Sequence, residues 1–183
     1  MPTLGEALAA LNAWSIGRTG VRYTERVDAS ALRAAYARFL DAARAAREVP
    51  ANGDEWSSEL VLAHVIVADR LLAGAVARVL ADGRATFDSR ACHSVPYLEA
   101  IVEAAGDWDG LVEAVRRGGA ELAAIVDRIE PEQAMRVVQA RFLNADGVAV
   151  DSPVKLAELV TASVSDHLPG HTQQLESYRI ARK

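Results

Sequence analysis

The sequence predicts an all-α fold, a four-helix bundle with a small β-hairpin before its last helix. Three observations predict it. Hydrophobic residues make up 51% of the 183-residue chain but aromatics only 5%. Ala, Val and Leu therefore carry the apolar content, which suits close-packed helices better than a β-sandwich. Long segments repeat apolar residues at spacings of 3 and 4, the period of a helix with one buried face. One segment alone, MRVVQARFLNADGVAVDSP, has β-rich runs on either side of a turn sequence, Asn144-Ala145-Asp146-Gly147.

Residues 4–14 read as a short helix with Leu4, Leu8 and Leu11 on one side, and Gly17 and Gly20 break it. The first long helix is expected from Ser30 to Glu48, capped by Asp28 or Ser30. Leu32, Tyr36, Phe39, Leu40 and Ala43 form its stripe, and Pro50, Asn52 and Gly53 end it. The second starts near Ser57, a good N-cap, and reaches Ala81, with Asp82-Gly83 closing it. Val61, Val65, Ala68, Leu72, Ala75 and Val79 lie opposite Glu59 and Arg70, which leaves those two solvated. At about 100° per residue, His64 projects about 140° from Glu59, at the edge of the apolar face.

Residues 84–106 read as irregular, with a short helix near Pro96–Ala105. Asp107-Trp108-Asp109 opens a third long helix to Ile129, with Leu111, Val115, Leu122, Ile125 and Ile129 inward and Glu130-Pro131 as its stop. The last helix is expected from Pro153 to Ile180, with Ser152 as cap and Pro153 in the first turn. Its stripe is Leu156, Val160, Val164, His167, His171, Leu175 and Tyr178. Pro169 lies inside it and removes the bond to Ser165, so the helix bends there or restarts with Asp166 as cap.

One domain is expected over residues 1–183, with 1–25 as an N-terminal extension. The net charge is −5, and no Lys/Arg run offers a nucleic-acid surface. The N-terminus lacks the basic and apolar regions of a signal peptide. No uninterrupted apolar run approaches the ~18 residues of a membrane span. The single cysteine, Cys92, forms no internal disulfide and fits a reducing cytoplasm. Flat alanine-rich helix faces would suit a homodimer.

The histidines carry the chemistry. Three of the four, His64, His167 and His171, fall on apolar stripes. A buried imidazole needs a partner. His167 and His171 are one helical turn apart, so their rings can share one ion, and His64 can supply a third ligand from another helix. Three protein ligands leave a coordination position open, which marks a catalytic rather than a structural site. The alternative is three core-edge histidines satisfied by carboxylates or carbonyls.

Trp56 followed by SSELVLAHVIVADR resembles the opening of the second helix in the DinB-like metal-binding bundles. LAELVTASVSDHLPGHTQQLESY resembles their last helix, where H-x3-H precedes a glutamine and an aliphatic residue. That superfamily includes thiol S-transferases and the N-terminal domain of mycothiol-dependent maleylpyruvate isomerases. The resemblance implies a zinc or nickel ion on His64, His167 and His171, and a low-molecular-weight thiol, mycothiol, as co-substrate. The isomerase branch tends to carry a carboxylate at the position of His167, so this chain looks more like the DinB and thiol-transferase branch. Pro169-Gly170 departs from the family pattern.

Gln174, one turn after His171, is placed to orient it from behind. The competing role is a solvent-facing amide. Trp56 is read as a plug at the end of the core, with a substrate-facing role as the alternative. Cys92-His93 reads as a structural or surface pair, and Arg116-Arg117 as a solvated face. The function expected is a metal-dependent transfer of a thiol to a small-molecule electrophile, or a related isomerisation. The rivals are a metal-dependent hydrolase and a non-catalytic metal-binding or dimerising stress-response bundle.

Overall fold

In the computed structural model, residues 27–47, 56–143 and 147–180 are described. The helix expected over 4–14 and the turn residues 144–146 lie outside them. The described chain is mostly helical with one small three-stranded sheet.

Helix α1 spans Ala29–Ala45, and the Asp28 carboxylate caps it by accepting the Ser30 and Ala31 amides. Leu32, Tyr36, Phe39, Leu40 and Ala43 are all buried, as their spacing predicts. Helix α2 spans Ser58–Leu80, and the Ser57 hydroxyl caps it by accepting the Leu60 amide. The left-handed residue that ends α2 is Asp82, with φ 54°, rather than Gly83. An aspartate tolerates that conformation, and Arg136 donates to its carboxylate at 2.8 Å. By length and composition α2 could cross a membrane, which a search for uninterrupted apolar runs passes over. Yet 67% of its most apolar window is buried within the protein. The burial is broader than one stripe, because every residue from Val61 to Asp69 is covered.

Strand β1, Thr86–Asp88, and a 3-10 turn, Ser89–His93, occupy a segment expected to be irregular. Three residues are too few to show an alternating pattern, and β1 forms because β2 lies alongside. Helix α3 follows over Val95–Ala105. Helix α4 spans Trp108–Val126, with Asp107 accepting the Gly110 amide at 2.7 Å. Pro131 does not end a helix but opens the single turn α5, Pro131–Ala134. The hairpin pairs β2, Val137–Leu143, with β3, Ala149–Lys155, in antiparallel register, Val138 opposite Val154. β1 adds to β2 in parallel, Phe87 opposite Ala140. Those four residues face the core.

The last helix therefore begins later than the sequence suggests. Pro153 sits in the edge strand β3, where its missing amide costs no ladder bond, and α6 spans Leu156–Ala162. The Glu158 side chain accepts the Lys155 amide and starts it. A π turn, Ser163–His167, then leads directly into α7, Leu168–Ile180. Pro169 can donate nothing to Ser165, and the wider π turn absorbs that loss without ending the helix. Asp166 is no cap: it accepts from the Ser165 hydroxyl on the exposed side. The π turn also re-phases the buried face, so Ser163 is covered and Val164 only half so.

α1 packs on α4 and α7, and α2 packs on α3, α4 and α7. Close packing of α1 on α4 depends on Gly119, where a Cβ would stand 2.7 Å from the Tyr36 ring.

Candidate metal centre

The structure brings His64 of α2 together with His167, at the end of the π turn, and His171 in the first turn of α7. All three are buried, with relative exposures of 2%, 7% and 1%. One ring nitrogen from each lies within 4.8 Å of the other two. The ring centroids stand 5.1 Å apart for His64–His167, 4.7 Å for His64–His171 and 4.8 Å for His167–His171.

The outer nitrogens are held from behind. His64 Nδ1 lies 2.7 Å from the Cys92 carbonyl. A carbonyl only accepts, so Nδ1 carries the proton and Nε2 turns a lone pair inward. His171 Nδ1 lies 2.9 Å from Gln174 Oε1. The Gln174 amide nitrogen donates to the Tyr178 hydroxyl at 2.8 Å, and that hydroxyl donates to the Trp56 carbonyl at 2.7 Å. The relay fixes which way Gln174 points, and therefore which nitrogen of His171 is protonated. Its Nε2 is buried with no hydrogen-bond partner. His64 Nε2 and His167 Nε2 are 2.9 Å apart.

The inward lone pairs of His64 and His171 thus meet in a closed space, and in the metal-free protein His167 Nε2–H donates to His64 Nε2. Burial is the first cause holding the imidazoles neutral: it drives His64 and His167 well below their ordinary pKa. Mutual repulsion of their charges adds to this. His171 is lowered to about 4, although its bond to Gln174 opposes the shift. Neutral imidazoles, those of His64 and His171 with fixed tautomers, and an unpaired inward nitrogen form a donor set that suits a divalent transition metal. For zinc, nitrogens at about 2.0–2.1 Å in a tetrahedron would be roughly 3.3 Å apart. Here the His64–His167 pair is at 2.9 Å and all three nitrogens lie within 4.8 Å of one another.

The neighbours sort differently from their sequence reading. Gln174 lies behind His171, as its spacing predicts. Trp56 is half-buried, with its ring 5.1 Å from that of His64. Cys92 is buried, and burial pushes its thiol up to about 12, so its carbonyl and not its sulfur serves the site. His93 does not sit at an unrelated surface. Its ring stands 5.3 Å from His64 and 6.1 Å from Trp56. Tyr178 was legible only as a stripe residue. Asp69 was not legible as a special residue at all. It lies fully within the protein, accepts the Tyr36 hydroxyl at 2.5 Å, and its carboxyl is raised to about 7 by burial. Arg116 and Arg117 both bond Glu113 on an exposed face. A cleft of about 300 Å³ between α1 and α7, bordered by Arg38, Asp41, Thr172 and Glu176, contains none of the histidines.

No protein-family model, no curated protein and no solved structure matches this chain. What the site can do is therefore argued from its own geometry.

Proposed function

We propose that this chain is a metal-dependent enzyme of the DinB-like class, which transfers a low-molecular-weight thiol to a small electrophile or carries out a related isomerisation. In this reading α1, α2, α4 and the α6–α7 helix are the four helices of the bundle. His64, His167 and His171 hold a divalent transition metal, zinc or nickel. The observation that carries the reading is His171 Nε2, buried and unpaired beside two other imidazole nitrogens. Most buried side-chain nitrogens are hydrogen-bonded, so an unpaired one among converging imidazoles points to an absent partner.

When bound, such a metal lowers the pKa of a thiol or water it takes as a further ligand. The chain's own residues supply the rest. The Cys92 carbonyl and the Gln174–Tyr178 relay fix the tautomers of His64 and His171. Burial keeps the rings neutral at pH 7, so they accept an ion without first losing protons. Trp56 forms an apolar wall beside His64. Mycothiol as the thiol rests on the sequence resemblance alone.

The test is metal analysis of protein purified without an affinity tag, wild type beside His171→Ala. About one equivalent of a transition metal, lost in the variant, supports the reading and directs screening of thiols with electrophiles. No metal in either protein, even after reconstitution, overturns it in favour of a bundle with packed histidines. Metal uptake with turnover of esters or amides but not thiols would instead indicate a hydrolase.

A further inference from the structure

His93 ends the 3-10 turn whose preceding residue, Cys92, gives its carbonyl to His64 Nδ1. The same turn is tied to the sheet, because the Ser89 hydroxyl accepts the Leu143 amide at 3.1 Å. The His93 backbone is thus fixed relative to His64 on one side and β2 on the other. Its ring meets His64 nearly edge-on, at 64° and 5.3 Å, little more than the spacings within the triad. Its nitrogens are not among the three that converge. His93 is only half-buried, whereas the other three rings are covered. Its ring makes no hydrogen bond to a described residue.

With Trp56, 6.1 Å away, His93 therefore forms a wall of one apolar and one polar ring against His64. A neutral imidazole offers one donor and one acceptor, and here neither is spent on a described residue.

We propose that His93 is a binding residue of the metal centre, donating a hydrogen bond to a small anionic ligand, a thiolate or an azide, that takes the position the three histidines leave on the ion. The inference rests on the metal reading above. It assigns to His93 the recognition of the incoming anion, and to Trp56 the apolar side of the same wall.

The experiment uses the full chain loaded with Co(II), whose visible absorption reports its ligands, and azide as the probe. Wild type is compared with His93→Ala and His93→Gln. Co(II) affinity should stay within about threefold in both variants. Azide should bind about tenfold more weakly to His93→Ala, the size of a lost hydrogen bond to a charged group. His93→Gln, which keeps a donor, should recover most of that loss and guards against misfolding of the alanine variant. Equal azide affinity in all three proteins overturns the inference. So does loss of Co(II) from both His93 variants, which would make His93 a ligand. A wild-type chain that takes up no Co(II) overturns the metal reading itself.

Discussion

Helix α2 buries two ionisable side chains five residues apart, His64 and Asp69, and they meet opposite circumstances. Five residues turn about 140° around the axis, so His64 looks toward α7 and Asp69 toward α1. Asp69 finds a partner already in place, the Tyr36 hydroxyl. Its other oxygen is buried without one, and the carboxyl accommodates this by holding its proton up to about pH 7. His64 instead finds two more imidazoles, and neutrality does not satisfy all of their inward nitrogens. A buried carboxyl can at least shed its charge by keeping a proton. Three converging imidazoles leave an inward nitrogen that no described residue satisfies, and a metal ion could.

The largest expected effect tests the second half of that contrast. His64→Ala removes one of three donors and should weaken metal binding by more than about a hundredfold, beyond the usual cost of losing an outer partner. The fold should survive, because His64 is not the sole anchor of α2. Isothermal titration with zinc and a circular-dichroism melt would check both. A variant that keeps its zinc affinity would reduce the triad to a packing motif.

A smaller effect is expected one bond further out. Gln174→Leu leaves His171 in place but removes the acceptor on its Nδ1. Zinc affinity should fall by about 10–100-fold. Tyr178→Phe should do less, since Gln174 loses an acceptor yet still faces His171. If Gln174→Leu is neutral, the tautomer is held by something other than this relay.

A third variant probes the packing around Asp69. Gly119→Ala would push a methyl into the Tyr36 ring, which is buried and cannot swing away. Overpacking of this kind costs about 1–3 kcal/mol, measured by urea unfolding. Metal affinity should be unchanged, because the strain falls on the α1–α4 contact.

Much of this was legible because helices announce themselves locally. Asp28, Ser57 and Asp107 each mark a start by offering an oxygen to free amides: Ser57 caps as expected, Asp28 proves the cap rather than Ser30, and Asp107 is the residue of its opening triplet that caps. His64, His167 and His171 showed their shared side through spacing alone. The misses have a common physical cause, which is dependence on partners distant in sequence. β1 exists because β2 is beside it, and Pro153 belongs to a strand because Gln139 lies opposite. The π turn needed knowledge of how a helix spends the bond that Pro169 cannot make. Nothing within α2 marks Asp69 as special, because Tyr36 and Gly118, which lie against it, come from other helices. His93 lay in a segment with no period to read.

The finest test exploits the opposite signs of the two regions. The triad histidines are depressed from 6.5, His171 to about 4, so the stability they contribute is present above pH 6.5 and lost as pH falls. Asp69 is raised from 3.8 to about 7, so its contribution is complete below pH 3.8 and declines as pH rises toward 7. In the metal-free protein the two oppose each other between those limits, and the wild-type profile alone will not separate them. Asp69→Asn does. It keeps an acceptor for Tyr36 but cannot ionise, while the histidines titrate identically in both proteins and cancel in the difference. The stability of the variant relative to wild type should rise with pH by at most about 1.4 kcal/mol per unit between pH 4 and 7, then level off. Urea unfolding at pH 5, 6, 7 and 8 would trace it. A flat difference would mean that Asp69 is already ionised at pH 5, and then its charged oxygen would be left with no partner among the described residues.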